Sequence, residues 1–115
     1  MSIEQAEMAL VAGMDMVKNC LDKGYDIIVT GEMGIGNTTT SSALTAILTG
    51  ARVSEVTGRG AGLDDTGLVR KREVICQAIE KYGFEEGKIY SGADDAFRAL
   101  CCVGGLDIAG LVDSG

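Results

Sequence analysis

From the amino terminus, apolar residues fall at Ile3, Ala6, Leu10, Met14, Val17 and Leu21, at intervals of three and four that set one side of a helix. Ser2 followed by Gln5 fits a capping box at its start, and Gly24 supplies a left-handed stop. The methionines Met8, Met14 and Met16 are expected as core filler. The pattern then changes, because Ile27-Ile28-Val29 is a short β-branched run ahead of Gly31, the mark of a strand. A second helix is predicted from about Thr38 to Leu48, ended by Thr49-Gly50. An irregular stretch, "ARVSEVTGRGAGLDD", closes on Asp64-Asp65, either of which can cap a helix with the apolar stripe Val69, Ile75, Ala78, Ile79 and Tyr82, stopped at Gly83. Lys88-Ile89-Tyr90 reads as a very short strand, and Asp94 opens a helix through Val103. After Gly104-Gly105, "LDIAGLV" begins a last helical pattern that should run on through "VDSG".

One clear strand therefore stands against four or five helices. A parallel sheet needs at least two strands joined by a crossover, so the expectation is part of an α/β domain, predominantly helical, with a single strand. At 115 residues the chain has room for one domain. The absence of His, Pro and Trp removes an imidazole base, so acid–base chemistry would rest on Asp, Glu, Lys, Tyr or Cys. A net charge of −7 argues against non-specific nucleic-acid binding and leaves room for a local anion site. Cys20, Cys76, Cys101 and Cys102 lack Cys-x-x-Cys spacing and read as buried reduced thiols rather than metal ligands. Acidic residues stand where a signal peptide would be basic, and no apolar run approaches the ~20 residues of a membrane span. The expected setting is cytoplasmic.

The chemistry concentrates in "YDIIVTGEMGIGNTTTSSALTAIL", where the strand empties into a loop with Gly31, Gly34 and Gly36 that feeds a helix through Asn37, Thr38, Thr39 and Thr40. Free N–H groups and the dipole at a helix start attract phosphate, and glycines let the backbone approach it. The loop is no Walker A motif, because no Lys-Ser or Lys-Thr follows, and it misses the dinucleotide fingerprint, because Thr39 stands where glycine is expected. A tight turn with simple capping would use the same residues. By spacing alone Glu32 is a solvated loop acid or a group facing a ligand, and the same choice stays open for Arg59 in its turn and for Arg70 and Lys71, by default the polar face of a helix.

"GEMGIGNTT" followed by "VTGRGAGLDDTGLVRK" closely resembles the nicotinate-nucleotide:dimethylbenzimidazole phosphoribosyltransferases of cobalamin lower-ligand assembly, and "GGLDIAGLV" resembles a further segment of that family. The resemblance runs from about Tyr25 to Val112. It implies a Rossmann-like α/β domain, a homodimer, no cofactor, and transfer of phosphoribose from nicotinate mononucleotide to 5,6-dimethylbenzimidazole, yielding α-ribazole phosphate and nicotinate. It implies that Gly34, Gly36, Asn37 and Thr38 lie at the nucleotide phosphate and that Glu32 and Lys71 are active-site residues. Glu32 would then stabilise oxocarbenium character on the ribose, and Lys71 would offset the charge of phosphate or departing nicotinate.

Members of that family are longer, and the glutamate regarded as general base lies in a downstream segment. Residues 1–115 are thus expected to be one partial domain, the central N-terminal part of the enzyme, inactive alone. The alternatives are a non-catalytic nucleotide- or phosphate-binding module and an inert fragment that self-associates.

Overall fold

Ser2 begins the first helix as its sequence predicts: the Gln5 N–H donates to Ser2 Oγ at 3.1 Å, and the Ser2 N–H donates to Gln5 Oε1 at 2.9 Å. The computed structural model describes residues 1–112. Its helices are α1 (Ile3–Asp22), α2 (Thr38–Thr49), α3 (Val53–Val56), α4 (Asp65–Lys81), α5 (Ala93–Val103) and α6 (Leu106–Val112). The expected run of the last helix into residues 113–115 lies outside the described residues. None of the described helices is long and apolar enough to cross a membrane.

The core is built around α2, which packs against α3, α4 and α5. Leu44 and Ile47 of α2 meet Val53, Ile75, Ile79, Leu100 and Val103. A helix rich in Ser and Thr can be buried there because its hydroxyls bond back along it, Ser42 to the Thr38 carbonyl at 2.9 Å and Ser41 to the Asn37 carbonyl at 3.0 Å. Ser42 also donates to the Val56 carbonyl at 3.1 Å, tying α3 to α2. Gly50, at φ 71°, ends α2 in the left-handed cap read from the sequence.

The expectation of an α/β domain with a strand is overturned: among the described residues there is no strand. Ile27 and Val29 lie 82% and 88% exposed in an extended segment, and no neighbouring segment pairs with it. β-branched residues favour extended backbone, but a strand exists only where a second one satisfies its N–H and C=O groups. Lys88-Ile89-Tyr90 forms no strand either. Tyr90 is instead a core residue whose N–H donates to the Ile47 carbonyl at 3.2 Å and whose ring meets Phe84 edge-on at 5.0 Å.

Two further expectations fail on burial. Met8, Met14 and Met16 are exposed rather than core filler, because α1 packs chiefly on the short α6 and buries only Ala6 and Gly13. The cysteines are free, as expected, but Cys76 is exposed on α4 and the other three are half-buried. Burial raises the thiol pKa at both Cys76 and Cys101, with the Glu86 carboxylate adding to it at Cys76.

The α1–α6 crossing depends on glycine in an asymmetric way. A Cβ at Gly13 would collide with the carbonyl oxygen of Gly110, whereas a Cβ at Gly110 would meet the Ala9 carbonyl oxygen at an ordinary 3.5 Å. Gly13→Ala should therefore destabilise the chain by about 1–3 kcal/mol despite the better helix propensity of alanine. Gly110→Ala should be neutral or stabilising by up to about 1 kcal/mol. Urea unfolding followed by circular dichroism compares the two, and equal effects would contradict the crossing.

Candidate functional site

Left-handed glycines shape both walls of a cleft of about 590 Å³. Gly34 at φ 76° and Gly36 at φ 81° turn the first loop into α2, and Gly60 at φ 58° turns the second. The second loop is closed by Arg59, which donates to the Leu63 carbonyl at 2.9 Å and pairs with Asp65. It launches α4 through Asp64, whose carboxylate accepts the Gly67 N–H at 2.7 Å. Gly67, Arg70, Lys71 and Val74 then fall on one helical face, and that face lines the cleft.

Lys71 dominates the floor. It is only 7% exposed, and its ammonium donates to Thr38 Oγ1 at 2.9 Å and to the Gly58 carbonyl at 3.1 Å. No ion pair with a carboxylate is formed by Lys71 among the described residues. An ammonium has three protons to donate, so this buried charge has neutral partners for two of them and no protein counter-ion. A Cβ on Gly60 would sit 2.7 Å from Thr38 Oγ1 and 3.4 Å from Lys71 Nζ, so only glycine lets the second loop pass this close.

The other contribution is the start of α2. Unlike Ser2 on α1 and Asp64 on α4, Asn37 makes no side-chain cap. The first-turn N–H groups of α2 thus have no side-chain cap, and Thr38 and Thr39 of that turn line the cleft. Arg59, Arg70 and Lys71 line the cleft; Arg59 is paired with Asp65, so the local positive field, in a chain of net charge −7, comes from Arg70 and Lys71.

Of the residues singled out in the sequence, Gly34, Gly36, Thr38 and Lys71 come together in this cleft. Glu32 does not line it. Its exposed carboxylate accepts the N–H of Gly34, so it occupies one donor of the glycine loop. Asn37 turns away, its Nδ2 donating to Asp107 Oδ2 on α6 at 2.7 Å. Arg59 and Arg70, which sequence spacing left open between solvent and site, both line the cleft. For Arg70 the signal was present in its i+3 relation to Gly67; for Arg59 none was.

A family model described as phosphoribosyltransferase matches residues 1–113. A nicotinate-nucleotide–dimethylbenzimidazole phosphoribosyltransferase of a Roseiflexus species is 47% identical over 111 residues, 96% of this chain and 30% of the relative. Relatives of the same name from Chloroflexus aurantiacus and Pseudomonas putida are 45% and 41% identical over the same shares. The chain thus spans about 30% of the length of the curated relatives it matches. No solved structure matches it. With its two glycine-rich blocks facing each other across a basic cleft, and with the family match running over nearly its whole length, the chain belongs to the phosphoribosyltransferase family.

Proposed function

We propose that the cleft binds the phosphate of nicotinate mononucleotide, and that this chain forms part of the site at which the longer enzyme transfers phosphoribose to 5,6-dimethylbenzimidazole. The observation that carries this reading is the buried Lys71 ammonium, without a carboxylate partner, beside the uncapped start of α2. A phosphate there would take the third ammonium proton, the N–H groups of Gly34, Gly36, Asn37 and Thr38, and those of Thr39 and Thr40 that follow in the first turn of α2.

In the transfer, the benzimidazole nitrogen attacks the anomeric carbon while the bond to nicotinate breaks and nicotinate leaves with the electron pair. The proton of the attacking heterocycle must pass to a base. Glu32 acts on the sugar instead: phosphate arriving at the Gly34 N–H displaces its carboxylate, which then faces the positive charge building on the ribose. The contact of the Glu32 carboxylate with that N–H supports this, since it is an anion resting where the loop offers a donor. The transfer belongs to the whole enzyme of cobalamin lower-ligand assembly, of which residues 1–115 are one partial domain, and these residues alone bind without turnover.

The proposed setting is cytoplasmic, supported by four free thiols, and the proposed assembly is a homodimer. Exposed Ile3, Met8, Val11 and Met14 on α1 support self-association. A sedimentation run showing only monomer at tens of micromolar would count against it.

In an NMR titration, nicotinate mononucleotide should shift the amides of Gly34 to Thr39, and the dephosphorylated riboside should shift them weakly. Lys71→Met should weaken mononucleotide binding about tenfold or more, the scale of a hydrogen bond to a charged group, while the thermal midpoint moves little. Equal response to both ligands would remove the phosphate from the cleft.

In a full-length relative carrying the same two blocks, Glu32→Gln should lower kcat by roughly 10²–10³ with KM for the mononucleotide little changed. The 115-residue chain alone should release nicotinate orders of magnitude more slowly than that relative. Wild-type kcat in the variant would return Glu32 to the status of a loop acid.

A further inference from the structure

Asparagine is among the best helix caps, because its side-chain oxygen accepts an N–H of the first turn. At the start of α2 that oxygen would accept from Thr39 or Thr40, the same donors that a bound anion needs. Asn37 makes no such bond. Its backbone is also wrong for one, at φ −113° and ψ −7°, whereas the working caps Ser2 and Asp64 are extended, with ψ of 162° and 179°.

Three hydrogen bonds hold Asn37 in this state. Its Nδ2 donates to Asp107 at 2.7 Å, across 70 residues of sequence. Its carbonyl accepts the Thr40 hydroxyl at 2.7 Å and the Ser41 hydroxyl at 3.0 Å. Asp107 is itself placed by α6, which packs on α1 through the Gly13–Gly110 crossing.

We infer that Asp107 is a positioning residue that draws the Asn37 side chain off the start of α2 and so keeps the anion site from capping itself. The inference rests on the anion reading of the cleft and deepens it. "GGLDIAGLV", which the cleft does not use directly, thereby gains a role: it carries the latch that holds the phosphate loop in its open form. Released from Asp107, Asn37 would turn in, satisfy Thr39 or Thr40, and compete with phosphate for the same N–H groups.

The test measures inorganic phosphate binding by amide shifts in the parent chain and three variants. Asp107→Ala should weaken phosphate binding roughly fivefold, the scale of one capping bond. Without phosphate, its Thr39 and Thr40 amides should shift and exchange more slowly. Asp107→Asn, whose side-chain oxygen still accepts from Asn37, should bind phosphate at least as well as the parent. Asn37→Ala combined with Asp107→Ala should recover most of the lost affinity, because no cap is left to compete. Unchanged affinity in Asp107→Ala, or a double variant as weak as the single one, would overturn the inference while leaving the anion site standing. A parent chain that binds no phosphate would overturn both.

Discussion

The Lys71 side chain runs from α4 under the second glycine loop and delivers its ammonium to Thr38 at the first turn of α2, where little water reaches it. A charge in that position costs free energy unless polar partners surround it, and two neutral oxygens only partly do so. The geometry of the cleft follows from this contact. It sets the approach of α4 to α2, it requires glycine at position 60, and it draws the Gly58 carbonyl inward so that Arg59 and the loop to Asp64 fold over the opening. The apolar side of the same helix supplies the support, because Ile75 and Ile79 are buried against α2 and α5 residues one and two turns further along.

The cleft lies beside the core of a molecule whose periphery is unevenly covered. Around α2 the core is closed. Along α1 and the extended segment that follows it, large apolar side chains stand in solvent, with Ile27, Val29 and Met33 each more than four-fifths exposed. Only a thin strip of α1 is buried, where Gly13 lets α6 come close. The relatives place about 70% of their length outside the matched portion, and apolar surface of this kind is what additional chain or a second copy buries. The glycine loop hangs between these two regimes, anchored at α2 and free toward Thr30.

Signals confined to neighbouring residues were legible in the chain. The Ser2–Gln5 box, the Asp64 cap, the left-handed stops at Gly24, Gly50 and Gly83, and the glycine turn leading into α2 all appear where the residue types put them, because each depends on backbone atoms within a few positions. So did the family, whose two glycine blocks are contiguous strings. Periodicity also found α1, although it took the apolar stripe for a buried one and the methionines for core. A helix repeat reports that one side is apolar and says nothing about whether anything covers it.

Tertiary structure decided the rest. Ile27-Ile28-Val29 has a strand's composition and no strand, since pairing needs a partner that local sequence does not contain. Lys71 and Arg70 are adjacent on a polar-looking helix, and only the passage of the second loop over α4 buries one ammonium while both line the cleft. Asn37, an ideal cap by residue type, is diverted by a carboxylate 70 positions away. Sequence by itself determined where the longer helices start and stop and which family the chain belongs to, because those properties are local or textual, whereas the short α3 lies in a stretch that reads as irregular. Which charges are buried, which donors stay free and which apolar faces remain uncovered depend on distances between remote segments, and those exist only once the helices have packed.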